Sequence, residues 1–66
     1  MTMVEFLQGK VYKLLQKRKI NTFPFVTLAI DNPDIVEIHI DGKYINNGLK
    51  KYLEKELKSP VRLIPM

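Results

Sequence analysis

The sequence predicts a two-layer α+β domain with helix–strand–strand–helix–strand order and both helices on one face of a small sheet. Three observations lead there. Apolar residues recur at helical spacing over residues 3–17 and 47–58. They alternate with period two in "FVTLAI" and "IVEIHI". The loop "DNPD" joins those alternating runs, which makes them an antiparallel hairpin. A chain of 66 residues is expected to form one domain, residues 1–66, around a single small core.

The first helix opens on Thr2 and Glu5 at capping-box spacing, so a hydroxyl and a carboxylate can satisfy amides of the first turn. Val4, Leu7, Val11, Leu14 and Leu15 form its apolar stripe. Gly9 weakens it by about 1 kcal/mol relative to alanine. Lys17, Arg18 and Lys19 fall at its end, where the helix dipole favours positive charge.

The first strand, 25–30, follows Pro24, which has no amide to give a ladder and belongs at a strand start. Val26, Leu28 and Ile30 share one face of it. The second strand, 35–40, puts Val36, Ile38 and Ile40 on that same face. Asp41–Gly42 carries the signal of a tight type I′ turn. Tyr44–Ile45 stays open between a short strand and the approach to the second helix. Asn46 or Asn47 caps that helix, whose stripe is Leu49, Tyr52, Leu53, Glu56 and Leu57. Glu54 and Lys58 stand at i,i+4 spacing as a surface pair. Ser59–Pro60 end the helix. A last strand, 61–64, sets Val61 and Leu63 against Arg62 and Ile64.

If both helices cover the Val26, Val36 and Val61 side, the opposite face carries Phe25, Thr27, Ala29, Ile35, Glu37, His39, Arg62 and Ile64. A face mixing apolar and charged groups marks contact with another chain. Those eight residues are the expected protein interface. A symmetric homodimer is expected there, with Arg62 and Glu37 at the contact, and edge-to-edge strand pairing is the competing geometry.

The net charge of +4 is unevenly placed. Residues 1–22 hold Lys10, Lys13, Lys17, Arg18 and Lys19 against Glu5. Residues 23–41 hold Asp31, Asp34, Glu37 and Asp41 with no Lys or Arg. Residues 42–66 hold Lys43, Lys50, Lys51, Lys55, Lys58 and Arg62 against Glu54 and Glu56. The alternative reading is therefore nucleic-acid binding, RNA or DNA, with Lys13, Lys17, Arg18, Lys50, Lys51, Lys55 and Lys58 on phosphates. Tyr12 and Tyr44 would be the rings available for stacking.

Catalysis is not expected. His39 is the sole imidazole, with Asp41 or Glu37 as its possible partners, and neither a cysteine nor a strained serine elbow accompanies it. Asp31, Asp34 and Asp41 stand beside Asn, Pro and Gly, as turn residues do, and their spacing is not that of a calcium loop. No disulfide or cysteine-ligated metal can supplement the core, and no cofactor is expected. No apolar run approaches the ~18 residues of a membrane span, and no signal segment precedes the first helix, so the cytoplasm is the expected compartment.

"PFVTLAIDNPD" and "YLEKELKSPVRLI" together resemble the small C-terminal KH-like domain of the bacterial ribosome-assembly GTPase Der. Pro24–Phe25 match that family's strand opening and Asn32–Pro33 its turn. Tyr52, Leu53 and Leu57 match part of its helix, and Pro60, Val61, Arg62, Leu63 and Ile64 its closing strand. The resemblance spans residues 24–64 and implies a KH-like order of elements. It carries no GTPase activity here, since the family's two GTP-binding domains are absent and "EIHIDGKYINNG" is longer than the family's connection. Gly9, Gly42 and Gly48 cannot form the GXXG loop with which KH domains grip a single strand.

Overall fold

The computed structural model describes residues 3–66. The capping box expected at Thr2 lies outside them. The helical stripe of the N-terminal third becomes α1 (Met3–Lys17), which buries Val11, Leu14 and Leu15. Its end is closed by a paired bond pattern. Ile20 N–H donates to Leu15 C=O at 3.0 Å and Lys19 N–H to Gln16 C=O at 2.9 Å. That motif requires a left-handed residue, and Lys19 adopts it at φ 59°. Ile20 then packs back on the core beside the helix end.

The alternating runs become β1 (Phe25–Leu28) and β2 (Val36–Ile40), paired antiparallel with Val26 opposite Ile38. β1 is shorter than its periodicity predicts. The chain turns early because Ile35 N–H donates to Asn32 C=O at 2.9 Å and Asp34 N–H to Asn32 Oδ1 at 3.0 Å. A last rung, Ala29 N–H to Ile35 C=O at 2.9 Å, closes the hairpin. Alternation alone places Ile30 on the helix side. It is instead fully exposed, since its backbone has already left the strand.

The type I′ hairpin expected at Asp41–Gly42 does not form. No glycine has positive φ, which that turn demands. Asp41 instead starts a 3-10 turn over Gly42–Tyr44. Its carboxylate accepts from Lys43 N–H at 3.1 Å, and its carbonyl accepts from Tyr44 N–H. Tyr44–Ile45 are therefore the approach to the second helix rather than a strand. Gly42 matters for clearance, because a Cβ there would stand 3.3 Å from the Pro65 Cβ.

α2 (Asn47–Leu57) is capped by Asn46, whose Oδ1 accepts from Leu49 N–H at 2.8 Å. It ends on Lys58, left-handed at φ 55°, whose N–H donates to Glu54 C=O at 2.8 Å. β3 (Val61–Pro65) follows and pairs parallel with β2, with Val36 opposite Val61. A parallel pair needs a crossover of about a dozen residues or more; residues 41–60 supply it. The sheet order is β1-β2-β3, so β2 is central and both other strands are edges.

One core joins the layers. Val11, Leu14, Leu15, Leu49 and Leu53 from the helices pack with Val26, Val36, Ile38, Ile40 and Val61 from the sheet. Leu7, Leu28, Tyr52, Leu57 and Leu63 flank it. The helices thus share one face, and the other is left to solvent or to a partner.

Candidate functional site

On the helix-free face the register sets side chains in cross-strand rows. Phe25, His39 and Ile64 stand opposite one another, and Thr27, Glu37 and Arg62 form the next row. Direct neighbours of this kind interact strongly in a sheet. Arg62 Nη1 donates to Glu37 Oε2 at 2.9 Å. The same guanidinium reaches past the row to Asp31 in the β1–β2 loop, with Nη1–Oδ1 and Nη2–Oδ2 both at 3.3 Å. This fork is the geometry in which arginine holds a carboxylate best. It keeps the Asp31 carboxyl below the ordinary carboxylate range, first through the Arg62 hydrogen bonds, then through its own backbone amide and the guanidinium charge.

His39 packs edge-on against Phe25, with ring centroids 6.2 Å apart. Its Nε2 is 3.9 Å from Glu37 Oε1, beyond hydrogen-bond reach. Asp41, its other expected partner, is committed to Lys43 N–H. Phe25 is 61% exposed, and Thr27, Ile35, Glu37, Arg62 and Ile64 are half-buried. Ala29 differs from the rest of the expected interface. It is only 2% exposed, so it supplies almost no surface to a partner.

Two residues finish the sheet edges in roles that sequence reasoning did not assign them. Gln8 of α1 acts as a substitute strand for β1: its Oε1 accepts from Val26 N–H at 2.9 Å and its Nε2 donates to Pro24 C=O. Its signal was present, because Val4, Gln8, Val11 and Leu15 follow a core-facing 4-3-4 spacing. Glu54 does a similar thing at β3, where its Oε2 accepts from Val61 N–H at 3.1 Å. The surface pair expected between Glu54 and Lys58 is replaced by this contact. A backbone amide at a strand start is a closer, less mobile partner than a lysine ammonium.

The seven expected phosphate contacts are all exposed, yet they meet different neighbours. Lys13 borders a shallow depression on α1 with Glu5, Phe6, Gly9 and Lys10. Arg18 lies over the Tyr52 ring at 4.7 Å, tying the end of α1 to α2. Lys50 lines a groove between α2 and β3, and Lys58 borders a cleft near the β1–β2 loop. Lys17, Lys51 and Lys55 remain on the outward helical surfaces. Of the rings considered for stacking, Tyr12 is tilted against Phe23 at 5.5 Å and Tyr44 lies under Lys43 at 5.1 Å.

A second apolar surface was also missed. Phe6, 57% exposed, and Met3 border a cleft of about 620 Å³ with Leu7, Leu28, Pro33 and Leu57. Among the described residues no group of three or more His, Cys, Asp or Glu is placed to hold a metal ion. No helix among them is long and apolar enough to cross a membrane. The chain matches no family model, no curated protein and no solved structure.

Proposed function

We propose that this is a small non-catalytic binding protein that recognises another protein through the helix-free face of its sheet. The observation that carries the reading is the Arg62 cluster. One guanidinium is held by two carboxylates, with Phe25, His39 and Ile64 alongside. One cation against two anions leaves the cluster net negative, which repels a phosphate backbone. A protein surface suits it better. Apolar side chains around a pre-arranged ionic centre resemble the aromatic and arginine anchors that dominate protein–protein contacts.

The nucleic-acid reading rests on the helices, and the experiment separates the two. The tagged chain is used for capture from native lysate with and without nuclease, beside Ile64→Ser and a triple Lys50→Ala, Lys51→Ala, Lys55→Ala variant. Protein recognition predicts a nuclease-resistant partner that Ile64→Ser releases and the triple variant retains. Loss of capture after nuclease treatment, or release by the triple variant alone, refutes it. A symmetric dimer through the same face is the homotypic form of this reading, and mass by light scattering at high micromolar concentration distinguishes it.

A further inference from the structure

We infer a second docking surface, adjoining the helix-free face: the free edge of β3, which takes an extended acidic peptide segment of another protein as a fourth strand. Bonds at both ends of β3 fix which of its groups point outward. Val36 N–H donates to Pro60 C=O and Met66 N–H donates to Ile40 C=O, so the even-numbered residues face β2. Strand alternation then points the backbone groups of Val61, Leu63 and Pro65 toward the free edge. The Val61 N–H already goes to Glu54, and Pro65 has none. What remains is one donor, Leu63 N–H, amid three acceptors, the carbonyls of Val61, Leu63 and Pro65.

That imbalance selects the occupant. A second copy paired edge to edge brings the same shortage, so each copy can donate one backbone bond and no more. A foreign strand brings its own amides and can satisfy all three carbonyls while accepting from Leu63. Glu54 and Pro65 thereby act against self-pairing, as blunted edges do. Peptide addition to such an edge draws affinity from the backbone and selectivity from alternate side chains. The adjoining groove, about 450 Å³, has room for those side chains between β3 and the Asn47, Lys50 and Glu54 face of α2.

The preferred charge follows from the same wall. Glu54 keeps its negative charge but its carboxylate is turned to the Val61 N–H, and the Arg62 charge is offset by Asp31 and Glu37. Lys50 has no ion-pair partner among the described residues and stands over the groove. Its ammonium is the one cation of the groove without an ionic partner among the described residues, and it can pair with a carboxylate of the incoming segment.

The test uses a phage-displayed library of random dodecapeptides selected on the full chain. Binders with acidic residues alternating with apolar ones are expected. A synthetic binder should slow hydrogen exchange at the Leu63 amide, which is open in the free chain. N-methylating every second peptide amide should abolish binding in one phase and leave it intact in the other. Lys50→Glu should weaken the acidic binder by about tenfold, whereas Lys10→Glu, the same charge change on α1, should not. The inference is overturned if selection yields no binder, if Leu63 exchange is unchanged, or if the two methylation phases or the two charge reversals behave alike. The Leu63 exchange, the methylation phase and the Lys50 reversal read the strand edge rather than the Phe25–His39–Ile64 row, so failure here is distinguishable from failure of the protein-recognition reading.

Discussion

Single side chains decide how this sheet is finished. Gln8 satisfies an amide and a carbonyl that β1 would otherwise present to water or to another chain. Gln8→Ala should cost about 1–3 kcal/mol, because two half-buried backbone groups lose their partner. Gln8→Glu should lie between, since it keeps the acceptor for Val26 and loses the donor to Pro24; urea midpoints check the order. The Asp31–Arg62 fork makes a prediction in pH. Asp31 has a depressed carboxyl in the fold, so its contribution is present above its ordinary value of 3.8 and is lost as pH falls through the lower folded value. Asp31→Asn should therefore be less stable than the parent at neutral pH and equal to it in strong acid. Carboxyl NMR titration with paired denaturation curves reads both.

Elements are set by their ends and by the few residues that fit them poorly. Gly9 faces open space in the middle of α1, where an added Cβ would meet nothing within 4 Å. Gly9→Ala should stabilise by about 0.5–1 kcal/mol, measured as a rise in melting temperature. Asn46 anchors the start of α2, and Asn46→Ala should cost about 1 kcal/mol. At the other end Lys58 occupies a left-handed position that costs an L-residue roughly 1–2 kcal/mol. Lys58→Gly should recover part of that. If Lys58 contacts phosphate, the same change will weaken nucleic-acid binding as it raises stability, and the two effects are separable in one purified variant.

The whole molecule has little stability in reserve. Leu53 is fully buried at the junction of α2 with the sheet. A single core of this size supplies about 3–5 kcal/mol, and Leu→Ala in a core costs about 2–5 kcal/mol. Leu53→Ala should therefore leave much of the chain unfolded at 25 °C, visible in circular dichroism and in the loss of hydrogen-exchange protection in β2. The same thin margin favours the two proposed recognition surfaces, which need no rearrangement. Both the clamped Arg62 face and the half-filled β3 edge are already in place in the free chain.

How much of this was legible in the letters depends on how local the cause is. Period determined α1, period and capping determined α2, and alternation determined the hairpin of β1 and β2, β3, and the side of the sheet that faces the core. Those causes act within a few residues: 3.6-residue spacing, two-residue alternation, an asparagine before a helix. The rows Phe25–His39–Ile64 and Thr27–Glu37–Arg62 also follow from parity once the strands are paired. The parallel pairing of β3 with β2 did not. Only the tertiary structure decided that Asp31 would clamp Arg62, that Glu54 would leave Lys58 for the Val61 amide, and that Ala29 would be buried while Ile30 is exposed. Each of those outcomes joins groups from different elements or depends on where a loop bends. A charge or an amide has no preferred partner in the sequence; it takes the one that folding brings within hydrogen-bond distance.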